Sequence, residues 1–229
     1  MLNFQPLSLG LKALADSYTF KYGEGSCQHS FVSSWCLRQK YGDEFCEHDG
    51  SLYILRSKLC SESERVYLFP LGARDNTDAL RQALQNVIDD AHENGAKVAF
   101  RTLTAEAKDM ITSMFPEKFS VEASRDYTEY LYRIDKMVDL PGHEFASRRK
   151  KIVRFFRYYG ERCLITFITE EYMRGIRHFQ NEWLNARLAE NDNDPSAKFQ
   201  LEQDNDGVMA ALEDFFRLGL SGIVLLIDG

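Results

Sequence analysis

Long apolar runs are missing from this sequence. None of its 229 residues belongs to a stretch approaching the roughly 20 apolar residues that a membrane-spanning helix needs. The start, Met1 to Tyr18, lacks a charged segment followed by an apolar one, so no secretory signal is read there. Both absences predict a cytoplasmic protein. Cysteines are few and uneven: Cys27, Cys36, Cys46, Cys60 and Cys163, with no C-x-x-C among them. An odd set without that spacing predicts reduced thiols and excludes a disulfide framework. Two C-x-H pairs, Cys27-Gln28-His29 and Cys46-Glu47-His48, carry zinc-ligating side chains. They lack the usual cysteine spacing of zinc modules, and Cys36 falls between them on a helical pattern, so no metal is expected. P-loop, H-E-x-x-H, G-x-G-x-x-G and Ser-His-Asp signatures are also absent. His29, His48, His92, His143 and His178 are scattered and read as structural or surface residues. No catalytic residue and no cofactor is assigned.

What is present is enough for a packed core: 44% apolar and 13% aromatic residues, which excludes disorder. The chain reads as alternating helices and strands. A short strand at 2–7 precedes a helix over 9–22, and a second helix is expected over 31–41, capped by Ser30 and closed by Gly42. Asp49-Gly50 between two strand-like runs is a type I′ hairpin signal. A third strand covers 65–71. The stripe Leu80, Leu84, Val87, Ile88 and Ala91 marks a helix over 77–94. A buried-type strand over 97–103, a helix opened by Thr104, and strand-like alternation through 119–134 follow. Asp139-Leu140-Pro141-Gly142 is the best boundary, dividing 1–138 from 139–229. Beyond it come a strand at 163–168, helices at 170–190 and 202–218, and a strand at 222–227. The fold class is therefore α/β, in the mixed α+β sense.

The stretch Phe145 to Gly160 stands out. It carries Arg148, Arg149, Lys150, Lys151, Arg154 and Arg157, in a chain of formal charge −7. Wound at about 100° per residue, Phe145, Ile152, Phe156 and Tyr159 share one arc, with Lys150, Arg154 and Arg157 opposite and Lys151 beside them. An amphipathic helix is expected, its apolar arc packed and Gly160 ending it in the left-handed conformation. Arg148 and Arg149 fall inside the apolar arc near the helix start, where cations oppose the macrodipole. An anionic partner relieves that arrangement, and phosphate suits the guanidinium fork.

The order strand, helix, helical segment, strand, Asp-Gly occurs twice, ending at Asp49-Gly50 and again at Asp228-Gly229. Two copies of one unit are inferred. The second stops inside a hairpin with no return strand, so either another segment covers its last strand or the sequence is a fragment of a longer protein with an incomplete, and so inactive, site; a fragment is the reading taken.

Three stretches, NFQPLSL with SFVSSWCLRQKYG, FRTLTAEAKDMI, and above all SRRKKIVRFFRYYG, resemble the phosphatidylglycerol lysyltransferase C-terminal domain family. That family is built from tandem GNAT-like acyltransferase domains and is related to the Fem-type peptidyltransferases. The resemblance implies a complete first GNAT-like domain at 1–138 and a partial second at 139–229. It also implies transfer of an aminoacyl group from aminoacyl-tRNA to a lipid or peptide acceptor. Arg148, Arg149, Lys150, Lys151 and Arg154 then contact phosphates of the tRNA or of an anionic lipid. One departure concerns acyl-CoA enzymes, whose Gly-rich loop opens a helix after a central strand. Here Leu71 to Thr77 offers only Gly72 and Arg74, with Asp75 and Asp78 opposing an anion. Two further functions remain open: a non-catalytic module binding anionic lipid or RNA through 147–159, and an acetyl-CoA-dependent N-acetyltransferase.

Overall fold

The structure, a computed structural model, describes residues 2–72, 76–125 and 128–228. It is an α+β protein. Two compact units divide it: Met1–Val121 with Gly175–Leu220, and Glu122–Arg174 with Ser221–Gly229.

The larger unit is organised on a five-stranded sheet in the order β1-β2-β3-β4-β5. These strands are Gln5–Pro6, Asp43–His48, Ser51–Arg56, Glu64–Tyr67 and Lys97–Phe100. The first three neighbouring pairs are antiparallel, and β4 pairs β5 in parallel across a helical crossover. The hairpin forms at Asp49-Gly50, with φ of 49° and 70°, the left-handed pair that a type I′ turn requires. Strand β3 is buried along its whole length, because side chains alternate between the two covered faces of the sheet. Tyr53 and Leu55 join Cys46, Tyr67, Ala83, Val87 and Ala91 on one side. Leu52 and Ile54 join Ala15, Phe31, Phe45, Leu68 and Leu218 on the other. Each fully buried Leu, Ile, Val or Phe among them contributes about 1.5–3 kcal/mol of burial energy.

Helix α1 (Lys12–Tyr22) covers the second face, together with α2 (Phe31–Cys36), and α3 (Arg38–Tyr41) follows. The single helix expected over 31–41 is thus broken at Leu37 (φ −98°, ψ 15°), and the Ser30 side chain makes no capping bond. Gly42 is left-handed as expected. Helix α4 (Thr77–Glu93) covers the first face through its expected stripe, capped by Asn76 Oδ1 accepting from Ala79 N at 3.1 Å. Tyr67 donates to Asp90 Oδ2 at 2.5 Å and accepts from Arg65 Nε at 2.9 Å, tying β4 to α4. Helix α5 (Ala105–Met114) follows β5, with Thr104 Oγ1 accepting from Ala107 N.

The strand-like alternation over 119–134 forms no strand among the described residues; Asp126 and Tyr127 lie outside them. Tyr130 and Leu131 are 85% and 88% exposed, so the pattern found no partner edge. Residues Ile134–Asp139 form helix α6, which is followed by α7 (Ala146–Tyr159).

Helices α8 (Met173–Glu190) and α9 (Pro195–Glu213) lie between strands β6 (Cys163–Phe167) and β7 (Ile223–Ile227) in the chain. Helix α9 begins seven residues before its expected start at Glu202, because Asp194 caps it and Pro195 occupies its first turn. It packs on α2 in the larger unit, where a Cβ at Gly207 would stand 3.4 Å from Cys36 O. Trp35 Nε1 donates to Asp214 Oδ2 at 3.0 Å. In the smaller unit β6 and β7 form an antiparallel ribbon from Cys163↔Ile227 to Phe167↔Ile223.

Candidate functional site

Helix α7 forms where the sequence predicts it, but its ends and its packing differ. Gly160 is right-handed (φ −54°, ψ −44°) and runs into a 3₁₀ turn over Gly160–Arg162, so it is not the left-handed stop. None of the fourteen residues of α7 is buried. The arc expected to pack is half covered, with Ile152, Phe156 and Tyr159 between 38% and 49% exposed. Val153 and Tyr158, at 58% and 64%, are the most open apolar side chains of the helix.

The two arginines that sequence reasoning singled out have partners within the smaller unit. Arg149 Nη1 donates to Gly142 O at 2.8 Å and to Leu140 O. Leu140 is left-handed (φ 45°), which ends α6 and leaves carbonyls that the helix cannot satisfy. Arg149 is thus a clasp between the end of α6 and the start of α7. The Arg148 guanidinium lies 5.7 Å from the ring centres of Tyr132 and of Phe145, with Nη1 3.3 Å from Met137 Sδ. These contacts offset part of the unfavourable position of both cations at the helix start.

The remaining cations are available. Lys150, Lys151, Arg154 and Arg157 are exposed and form no ion pair among the described residues. A shallow, open groove of about 480 Å³ is lined by Ala146, Arg149, Lys150, Val153, Arg154, Arg157 and Tyr158. Of the expected phosphate contacts, the structure brings Arg149, Lys150 and Arg154 to this groove, while Arg148 and Lys151 do not line it. Arg157 is an addition. Its place seven residues after Lys150 puts it on the same helix face, a signal that was legible. From Lys150 to Arg157 the charges extend about 10 Å along the axis. No acidic side chain occurs in α7, so none on the helix offsets these charges. The chemistry available is binding of phosphate-bearing groups; no carboxylate, imidazole or thiol lines the groove among the described residues.

The helix start that an acyl-CoA pyrophosphate would use is only partly described, since Arg74 and Asp75 lie outside the described residues. Asn76 already occupies one of the free α4 amides there. The four residues of the C-x-H pairs have other surroundings. Cys27 is exposed, His29 Nε2 is 3.2 Å from Phe69 O, and His48 Nε2 is 3.2 Å from Asp49 Oδ2. Cys46 is buried, and burial pushes its thiol pKa up. No cluster of three or more metal-ligating side chains occurs among the described residues. Nor is any described helix long and apolar enough to cross a membrane.

Comparison with known proteins adds two findings. Residues 19–229 match the sequence model of a family described as phosphatidylglycerol lysyltransferase, C-terminal. A crystal structure of a conserved protein of unknown function from Bacteroides thetaiotaomicron VPI-5482 shares the fold. Its TM-score is 0.86 at 23% identity, over 100% of this chain and 73% of that one. No curated protein matches the sequence.

Proposed function

The chain belongs to the phosphatidylglycerol lysyltransferase C-terminal family, and from that membership we propose that it transfers an aminoacyl group from an aminoacyl-tRNA to a lipid or peptide acceptor. In this reaction an acceptor hydroxyl or amine attacks the ester carbonyl, and the tRNA 3′-hydroxyl leaves with the proton given up by the nucleophile. Rate in such a transfer comes from orienting two bound substrates and from stabilising the developing oxyanion. The contribution assigned to this chain is the first of these: Lys150, Arg154 and Arg157 hold phosphates, and Arg149 fixes the helix that presents them.

The observation that carries this reading is the groove on α7, with its unpaired cations and no acid to neutralise them. The tandem GNAT-like arrangement, 1–138 and 139–229, is part of the same proposal. It is supported by the recurrence of two strands paired antiparallel with helices between them: β1 with β2, and β6 with β7. The capped start of α4 leaves one amide fewer for an acyl-CoA pyrophosphate. The test is transfer of labelled amino acid from charged tRNA into a lipid or peptide fraction. Loss of transfer in a Lys150→Glu/Arg154→Glu variant that still folds supports the reading. Equal transfer by that variant refutes the role of α7, and absence of transfer from any charged tRNA refutes the reaction.

A further inference from the structure

We infer that the cationic row of α7 pairs with an acidic row of α9 on a second copy of this chain. The pairing regulates the phosphate groove proposed above, and it rests on that reading for this consequence alone.

Lys150, Arg154 and Arg157 follow one another at i, i+4 and i+7, so they form one row along α7. Helix α9 carries Asp206, Glu202 and Phe199 at the same spacing, read against the chain direction. All six side chains are exposed. Neither the two acids nor the three cations form an ion pair among the described residues. At 1.5 Å of rise per residue the steps are about 6 Å and about 4.5 Å on both helices. Laid antiparallel, the two rows bring Lys150 to Asp206, Arg154 to Glu202 and Arg157 to the ring of Phe199. The first two contacts are ion pairs and the third is a cation–π contact.

The surroundings of both rows agree with this match. Helix α7 has six basic residues and no acidic one, in a chain of formal charge −7. A second copy therefore presents mostly the opposite sign to it. On α9, Lys198 is held by Asp192 at 2.6 Å and does not neutralise the acidic row. Gly207, where α9 packs on α2, lies about 80–140° round the helix from that row, which stays clear of the contact.

Exposed pairs of this kind are individually weak, so the association is reversible and weakens with salt. While it lasts, carboxylates of the other copy occupy the cations that phosphates would take. Phosphate and the second copy then compete, and each lowers the apparent affinity of the other by the same factor. The groove is masked between copies and opens to a phosphate-bearing ligand.

The test is sedimentation velocity of the full chain over a range of concentrations, at about 0.05 M and about 0.5 M salt, with and without inorganic pyrophosphate. The sedimentation coefficient is expected to rise with concentration at low salt only, and to fall back when pyrophosphate is added. Lys150→Glu/Arg154→Glu and Glu202→Lys/Asp206→Lys should each weaken association at least about ten-fold. An equimolar mixture of the two variants should restore it, because reversed α7 of one then meets reversed α9 of the other. An unchanged melting temperature shows that each variant keeps its fold. A chain that stays monomeric at every concentration overturns the proposal. So does association that either variant leaves intact, or a mixture that fails to associate. Pyrophosphate binding by a chain that stays monomeric overturns the pairing and leaves the phosphate reading standing. Association that pyrophosphate does not relieve supports the pairing and overturns its regulatory consequence.

Discussion

Arg56 and Asp43 pair across the β2–β3 ladder, 4% and 3% exposed. Arg56 Nε lies 3.5 Å from Asp43 Oδ1, and Arg56 Nη2 donates to Gln28 Oε1 at 2.9 Å. The guanidinium also stacks 4.2 Å from the Tyr41 ring centre, and Ser34 Oγ donates to Asp43 Oδ2 at 2.7 Å. In Arg56→Met the apolar stem is roughly kept and the charge is lost, leaving a buried carboxylate with Ser34 as its one side-chain hydrogen-bond donor among the described residues. Removing one partner of a buried pair costs about 3–5 kcal/mol, whereas replacing both by apolar groups costs much less. At about 2–4 °C per kcal/mol for a chain of this size, the single variant should melt roughly 6–20 °C lower. Asp43→Leu/Arg56→Met should recover more than half of that loss.

The pH dependence has a definite sign. Burial raises the Asp43 pKa above the usual carboxylate value, against the opposing pull of Arg56 and Ser34. A raised folded-state pKa means that this group's contribution is fullest below the unfolded pKa and is lost as pH rises through the folded one. Without Arg56 the folded pKa rises further. The gap between wild type and Arg56→Met should therefore be smallest in acid and widen toward neutral pH. Thermal melts followed by fluorescence of Trp35 and Trp183 measure this. A single variant within about 1 kcal/mol of wild type would refute the reasoning, because that is the size of an exposed pair. A gap that narrows as pH rises would refute it equally.

Three further outcomes follow from the same geometry. Tyr67→Phe removes the donor to Asp90 but leaves Arg65 Nη2 3.1 Å from that carboxylate. A loss near the lower end of about 1–3 kcal/mol is expected in urea unfolding. Gly42→Ala places a Cβ at φ 59°, 2.8 Å from Ser57 Oγ and Lys58 Cγ, which should cost at least about 1–2 kcal/mol by the same assay. Arg149→Ala should loosen the smaller unit as well as weaken phosphate binding, because it frees the carbonyls of Leu140 and Gly142. Lys150→Ala should weaken binding alone, and amide exchange over 140–150 separates the two effects.

Much of the larger unit was legible, because its signals are local. Asp49-Gly50 dictates its turn, and the Leu80, Leu84, Val87, Ala91 stripe dictates the buried face of α4. The early start of α9 was legible too, in Asp194 followed by Pro195, a cap and a first-turn residue. Other errors came from tertiary context. Alternation through Tyr130 and Tyr132 is a strand pattern, yet a strand forms only where another edge accepts it. The break at Leu37 has no residue-level marker, since neither glycine nor proline occurs there. At the site, spacing located the basic helix and its charged face, including the position of Arg157. It did not reveal that Arg149 is held by Leu140 and Gly142, because that contact depends on the left-handed turn at Leu140.

The central claim is that exposed α7 cations hold the phosphates of a substrate in aminoacyl transfer. It is tested most directly by following labelled amino acid from charged tRNA into lipid or peptide, with wild type and Lys150→Glu/Arg154→Glu in parallel. The account predicts transfer by wild type, and its loss together with tRNA or lipid retention in the variant, at an unchanged melting temperature. Transfer that is equal in the two proteins would contradict it.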